Sequence, residues 1–199
     1  MSAENRRSSI LISSKALFAK RGLHGVSVSE LARACDVNVA VLYQHFPSKE
    51  QLYRAVLDEF ACKREDYVNA VLSGPDDFGN VLYRMTIVYA NGRLADPDIL
   101  RMELRSILEE DGFSEVFFES QWKGFTDYIE ETLREWKDSS GLSIDVKVAS
   151  MLYVGMVREM LIRCTLNIDH DFSDRSAEYL IKQIIKAFLR SLGFPPLEW

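Results

Sequence analysis

Three helix-start signals crowd into the stretch from Ser27 to Gln51, and their spacing leaves room only for short helices joined by tight turns. Ser27-Val28-Ser29-Glu30 has the form of a capping box, in which the Ser27 hydroxyl accepts a backbone N–H and Glu30 reaches back; Val26 and Leu31 occupy the hydrophobic-staple positions. The helix that follows is expected to end by about Asp36, and the next starts from Asn38 as N-cap, with Val37 and Leu42 again at staple positions. Two short helices separated by only about three residues predict a helix-turn-helix. Pro47 closes the third helix, and Ser48 with Gln51 forms another capping box, opening a fourth helix that runs to about Leu72 before Gly74-Pro75. Upstream, Ile10, Leu11, Ser14, Leu17 and Phe18 recur at helical spacing between Asn5 and Arg21, and Gly22 stands where a C-cap favours positive φ.

Beyond Pro75, cap and breaker residues punctuate segments that all carry helical periodicity, near 76–94, 97–110, 114–138, 144–167 and 174–192. No segment alternates as a strand would. The expected fold is all-α with about nine helices: a three-helix helix-turn-helix domain over 1–52, then a helical-bundle ligand-binding and dimerisation domain over 53–199. A chain of 199 residues with 47% apolar and 27% charged residues can bury a core without disulfides or metals.

Cys35, Cys62 and Cys164 are odd in number and widely spaced, which predicts reduced thiols rather than a disulfide framework or a zinc site. The apolar run Ile10-Leu11-Ile12 behind Arg6 and Arg7 is too short for a leader, and Met151 to Val157 is far short of a membrane span. A cytoplasmic protein without membrane contact is expected. His24, His45 and His170 lie in different regions, none beside an evident Ser or Cys nucleophile, and no metal-ligand spacing or phosphate loop occurs. Neither an enzyme nor a cofactor- or metal-binding protein is therefore expected.

Charge divides the chain. Residues 1–64 hold 10 Lys and Arg against 6 Asp and Glu, whereas residues 65–199 hold 14 against 24. A basic head on an acidic body suits a protein that brings only its head to phosphate, because counterion release is local to the contacting surface.

The run from Ile10 through Leu57, with Ala16-Leu17-Phe18-Ala19, Gly22, Val28-Ser29-Glu30-Leu31-Ala32, Val37, Leu42-Tyr43-Gln44-His45-Phe46, Ser48-Lys49-Glu50 and Leu52, resembles the DNA-binding domain of the TetR family of transcriptional regulators. It covers about a quarter of the chain; the remainder resembles the family only in length and helical pattern. The resemblance implies a sequence-specific regulator, usually a repressor that leaves a palindromic operator on double-stranded DNA when a small molecule binds the C-terminal domain. It also places Tyr43, His45 and Lys49 at positions that commonly contact phosphates, the competing role for Tyr43 and His45 being that of ordinary surface residues. Leu42 and Phe46 should pack inward, leaving Asn38, Val39, Ala40, Val41, Tyr43, Gln44 and His45 variously toward DNA. Gln44 is the best direct reader, since its amide can pair with adenine, while Val39, Ala40 and Val41 can meet thymine methyls. Those three, with Asn38, depart from the Ser, polar or basic, Gly and Thr or Ser usual in the family. Cys35 and Asp36 stand where Ala and Gly are usual.

In the body, Ala177, Leu180, Ile181, Ile184, Ile185, Phe188 and Leu192 form one apolar stripe, and Val148 to Leu166 is apolar nearly all round. Helices 144–167 and 174–192 are accordingly expected to form a four-helix homodimer interface with their symmetry mates, Gly155 permitting close approach; they could instead form the monomer core. The middle of the body is rich in aromatics and methionines, among them Met102, Phe117 and a stripe of Phe118, Trp122, Phe125 and Ile129. Met85, Tyr89, Phe118, Trp122, Phe125 and Met151 are candidate walls of a pocket for an apolar or aromatic effector, with Arg158 as anchor. Core packing is the competing role for each, and an ion pair with Glu159 the competing role for Arg158. A relative of the family acting structurally, or as an activator, fits the same sequence.

Overall fold

The computed structural model describes residues 3–60, 64–109, 112–140, 145–166, 175–195 and 197. Among them the helices follow in order as α1 (Ala3–Arg21), α2 (Val28–Ala34), α3 (Val39–His45), α4 (Lys49–Phe60), α5 (Arg64–Leu72), α6 (Phe78–Ala95), α7 (Asp98–Glu109), α8 (Ser114–Phe117), α9 (Lys123–Ser140), α10 (Val146–Leu166) and α11 (Ala177–Ser191). A π-turn over Phe118–Trp122 joins α8 to α9. No strand occurs among the described residues, so the fold is all-α. The expected fourth helix is represented by α4 and α5; residues 61–63 between them lie outside the described residues. The expected helix 114–138 is divided by the π-turn. His170 and Cys62 also lie outside the described residues.

The caps form where the sequence places them. The Ser27 hydroxyl accepts the Glu30 N–H at 3.3 Å, and the Glu30 carboxylate accepts the Ser27 N–H at 2.9 Å. Those bonds, the backbone N–H first and then Arg21, hold the Glu30 carboxyl at about 2, below its ordinary 4.5. Val26 and Leu31 are both buried, as a staple requires. The Asn38 side chain accepts the Val41 N–H at 2.8 Å, and the Ser48 hydroxyl accepts the Gln51 N–H at 3.1 Å. Between α2 and α3 the chain closes a Schellman motif, with Val37 N–H donating to Ala32 and Asp36 N–H to Arg33. Asp36 takes the left-handed position at φ 52, the place that Gly193 fills at φ 79 in the same motif after α11. Asp tolerates this region better than most residues, yet still carries a Cβ there.

The described helices group into two compact units. The first comprises Met1–Ala61 together with Asp96–Ser120, so the helix-turn-helix shares its unit with α7 and α8. In it α1 packs against α2, α4 and α7. Phe18 meets Tyr53 edge-on at 4.9 Å and Tyr53 meets Phe113 at 4.8 Å, while Ile99, Met102 and Phe117 complete the same core. Met102 and Phe117, expected in the middle of the body, thus belong to this first core. The α1 C-terminus is closed by α7: Arg105 donates through Nε to the Ala19 carbonyl at 3.1 Å and through Nη2 to Lys20 at 2.6 Å. Arg105 also bonds Glu109, whose carboxylate lies so close to Gly22 that any Cβ there would collide with it. Lys15 on α1 pairs with Asp96 just ahead of α7 and covers the Phe60 ring. The buried Cys35 thiol sits by the Ser14 hydroxyl, and burial pushes it up, leaving it protonated and unreactive.

The second unit comprises Cys62–Ala95 and Gln121–Trp199. Here α6 packs against α5, α9, α10 and α11. Arg84 on α6 closes the end of α5 through the carbonyls of Ala70 and Val71. On α10, Ala149, Tyr153, Val157 and Leu161 face inward, whereas Val148, Met151 and Leu152 stay 45%, 63% and 55% exposed.

Two stability effects are expected. Asp36→Gly should raise unfolding stability by about 1 kcal/mol by removing a Cβ from the left-handed region, and Asp36→Val should lower it, as read by urea titration. Glu30, with its pKa depressed in the folded state, stabilises fully above about pH 4.5 and ceases to as pH falls toward 2. The gap in stability between wild type and Glu30→Gln at pH 7 should therefore close across that window.

Candidate functional site

Helix α3 is two-sided because its sequence is. Leu42 and the C-cap Phe46 are buried, while Val39, Ala40, Tyr43 and Gln44 share the opposite face and are exposed. Asn38 is exposed with its carbonyl oxygen committed to the cap, Val41 and His45 are half-buried, and the His45 ring leans toward Phe46 at 6.4 Å. The outward face therefore offers one phenol, at 45% exposure, one carboxamide and a small apolar strip, which is chemistry suited to base edges and phosphate.

Lys49, at the start of α4, is more occupied than its sequence position implies. Its ammonium donates to the Val26 carbonyl at 3.1 Å, tying α4 to the turn before α2. An ammonium has three donors, so two can still meet an anion beside the exposed end of α3. Arg7 was not a candidate: in the sequence Arg6 and Arg7 stand out only as a charge pair near the N-terminus. In the structure the exposed Arg7 guanidinium lies 5.1 Å from the centre of the Phe46 ring, stacked at the end of α3. A basic pair in the first turns of a helix that buttresses a helix-turn-helix was the available signal.

In the second unit the aromatic candidates separate into two groups. Tyr89, Trp122 and Phe125 converge, with ring centres 4.7 Å apart for Tyr89–Trp122 and 5.6 Å for Tyr89–Phe125, and Tyr67 meets Phe125 edge-on at 5.6 Å. Met85 is buried one turn ahead of Tyr89 on α6. Two guanidinium groups join the cluster: Arg93 lies 5.2 Å from the Tyr89 ring centre and donates to the Gln121 carbonyl oxygen, and Arg158 lies 5.1 Å from that of Trp122. Arg93 and Gln121, both buried, were not candidates. Nearby, the Tyr153 hydroxyl bonds Thr86 at 2.6 Å, and burial holds that phenol well above its ordinary range. Phe118 in the first unit and Met151 on α10 are exposed and do not join the cluster. The π-turn explains the former: it sets the buried Phe117 and Trp122 five residues apart, so Phe118 falls off the stripe that Trp122, Phe125 and Ile129 continue. Glu159 pairs with Arg163 at 2.7 Å.

The exposed face of α10 carries Val148, Met151, Leu152 and Gly155, the last with open space around its Cβ position. Beside it an open groove of about 370 Å³ is lined by Met156, Met160, Leu180 and Ile184, with Arg163 and Arg175 at its rim. Among the described residues no three His, Cys, Asp or Glu side chains gather as a metal site, and no helix is long and apolar enough to cross a membrane.

With this geometry in place, comparison with known proteins narrows what the first unit is. The sequence profile of the bacterial regulatory proteins, tetR family, matches residues 10–56. The HTH-type transcriptional activator FasR of Mycolicibacterium smegmatis is 44% identical over 54 residues, 27% of this chain and 25% of that protein, so the match spans about a quarter of that relative's length. The nucleoid occlusion factor SlmA of Photobacterium profundum is 24% identical across 87% of this chain and 95% of its own. Among solved structures, that of HlyIIR, a hemolysin II transcriptional regulator, superposes with a TM-score of 0.70 at 23% identity, over 94% of this chain and 98% of that one, which shows a shared fold.

Lys49→Ala should lower stability by about 1 kcal/mol through loss of the Val26 bond, whereas Tyr43→Ala should leave it unchanged. Thermal unfolding of the two variants separates a structural role for Lys49 from a purely surface one.

Proposed function

We propose that this chain, whose residues 10–56 match the tetR family of bacterial regulatory proteins, is a member of that family and a cytoplasmic, sequence-specific DNA-binding transcriptional regulator acting as a homodimer. The single observation that carries the proposal is the exposed Val39–Ala40–Tyr43–Gln44 face of α3, held by Leu42 and Phe46 against the core of a helix-turn-helix. Such a helix enters a major groove, and a dimer presents two of them to half-sites about 34 Å apart, hence to a palindrome. Gln44 reads adenine, and Val39, Ala40 and Val41 favour thymine methyls. Tyr43, His45, Lys49 and Arg7 hold phosphates and fix the register. The acidic body stays clear of the duplex.

The two-fold contact runs through α10 and α11. A row of exposed Val148, Met151 and Leu152 beside an apolar groove is surface that a monomer gains by covering, and four such helices close into a bundle. In the body, a small apolar or aromatic molecule is taken up at the cluster of Tyr89, Trp122 and Phe125, with Met85 beside them and Arg158 over the indole. Binding that favours one spacing of the two heads changes operator affinity by the linked factor, and repression relieved by the effector is the expected sense. An activating role is a second reading, favoured by FasR, a transcriptional activator whose match covers the head alone.

Selection of duplexes from a random pool by the full-length protein, followed by footprinting, tests the core of the proposal. A protected palindrome with thymine-rich contacted positions supports it; failure to enrich any sequence overturns it. On the selected duplex, Arg7→Ala is expected to weaken binding and lower the salt slope by about 1, as for one lost phosphate contact. Gln44→Ala is expected to relax preference at one base pair without changing that slope. Met151→Asp with Leu152→Asp should convert dimer to monomer in light scattering and abolish footprinting while leaving helicity intact.

A further inference from the structure

The segment after α11 doubles back on its own unit and is pinned at two points, yet it leaves a space unfilled. Gly193 ends α11 in the left-handed position, and the Phe194 N–H donates to the Leu189 carbonyl at 3.0 Å, which turns the chain back. The Phe194 ring then stacks on Trp136 of α9 at 4.2 Å and meets Phe78 of α6 at 5.3 Å. Farther along, Leu197 lies over Gly79 of α6, where any Cβ would collide with the side chains of Leu197 and Leu189. Between α11 and this segment remains a cleft of about 270 Å³, lined by Lys186, Leu189, Arg190, Phe194, Pro195 and Leu197. Both walls are fixed by packing on other helices, so a small shift of either does not close the space. Four of the lining side chains supply an apolar floor, while Lys186 and Arg190, one turn apart on α11, bring two cations to its edge. Lys182, one turn earlier in the same row, is committed to Glu178 at 2.9 Å and to the Tyr83 ring. No Asp or Glu is among the described residues that line the cleft, although residues 65–199 carry 24 acidic side chains against 14 basic ones.

We propose that this cleft is a binding site for a small amphiphilic oxyanion: one carboxylate or phosphate head on an apolar body of one or two rings. The Arg190 fork and the Lys186 ammonium take the head through charge-assisted hydrogen bonds. The body covers Leu189, Phe194, Pro195 and Leu197. An uncharged body leaves the two cations without the ligand's charge, and a bare inorganic anion leaves the floor wet, so the two halves of the lining together define the class. The volume lies just below the roughly 300 Å³ at which sites for drug-sized molecules begin, which keeps the ligand small. No residue of the cleft belongs to the Tyr89–Trp122–Phe125 cluster. The cleft also uses a different face of α11 from the one that carries Leu180, Ile184 and Ala187 into the groove beside α10. Occupation of the cleft therefore depends neither on DNA binding nor on an effector at the aromatic cluster.

Isothermal titration calorimetry of the full-length protein, free of DNA, is run with 2-naphthoate, 2-naphthyl phosphate, 2-naphthalenemethanol and acetate. The naphthoate or the naphthyl phosphate is expected to bind at least about fivefold more tightly than the alcohol or acetate, and the tighter of the two identifies the head. Arg190 is exposed, so Arg190→Gln should leave thermal unfolding without ligand unchanged while weakening the preferred anion about fivefold. Arg190→Lys, which keeps the charge but not the fork, should recover part of that loss. Methyl NMR of the wild type locates the ligand without any substitution: the Leu189 and Leu197 methyl resonances should shift on saturation. Shifts confined to the Met85 methyl group, or affinity undiminished in both Arg190→Gln and Lys186→Gln, place binding elsewhere and overturn the proposal. Equal affinity for the alcohol or for acetate overturns the ligand class, and failure of both naphthyl anions to bind overturns the site. None of these outcomes bears on the DNA-binding reading, which stands or falls on duplex selection.

Discussion

The first unit depends on how the C-terminus of α1 is satisfied. A helix ends with carbonyls that no downstream N–H reaches, and its negative dipole end favours a cation. Here the Gly22 N–H takes the Phe18 carbonyl, and the Arg105 guanidinium takes those of Ala19 and Lys20. With that end secured, α1 presents Ile10, Leu11 and Phe18 to one side as the floor of the helix-turn-helix. The second unit uses the same device, Arg84 closing the end of α5 from a neighbouring helix. A planar fork of donors suits this task better than an ammonium, because it spans two successive carbonyls at once.

Much of this was legible from residue order alone, and the reason is range. Caps at Ser27, Asn38 and Ser48, the Val26–Leu31 staple and the burial of Leu42 and Phe46 are settled within a few residues, so local chemistry specifies them. What escaped were contacts made across the chain. Nothing near Met102, Arg105 or Phe117 says that they belong with α1, which lies some 85 positions earlier at the Arg105–Lys20 bond. The Phe118 stripe failed for a different reason: a helical wheel assumes 3.6 residues per turn, and the π-turn inserts one residue just there. Arg7 was hidden because its partner, Phe46, lies across the fold rather than along it.

The outward face of α3 and the interior of the body pose opposite physical problems. On α3, a valine, an alanine, a phenol and an amide face water, so the face relies on shape and a few directed donors rather than on charge. In the body, two guanidinium groups sit among rings, where stacking on π faces offsets part of their desolvation. The exposed row on α10 belongs to neither case: it is apolar surface that the single chain leaves open to water.

The π-turn has an evolutionary corollary. It amounts to one surplus residue in what would otherwise be a continuous α-helix, and removing it would rotate everything downstream by about 100° about the helix axis. Because one codon gained or lost makes that change, the wheel of α9 and the buried ring set it carries can be re-aimed in a single genetic step without touching Phe117 or the core before it. A lineage built this way can remodel the inside of its body while inheriting its head unaltered.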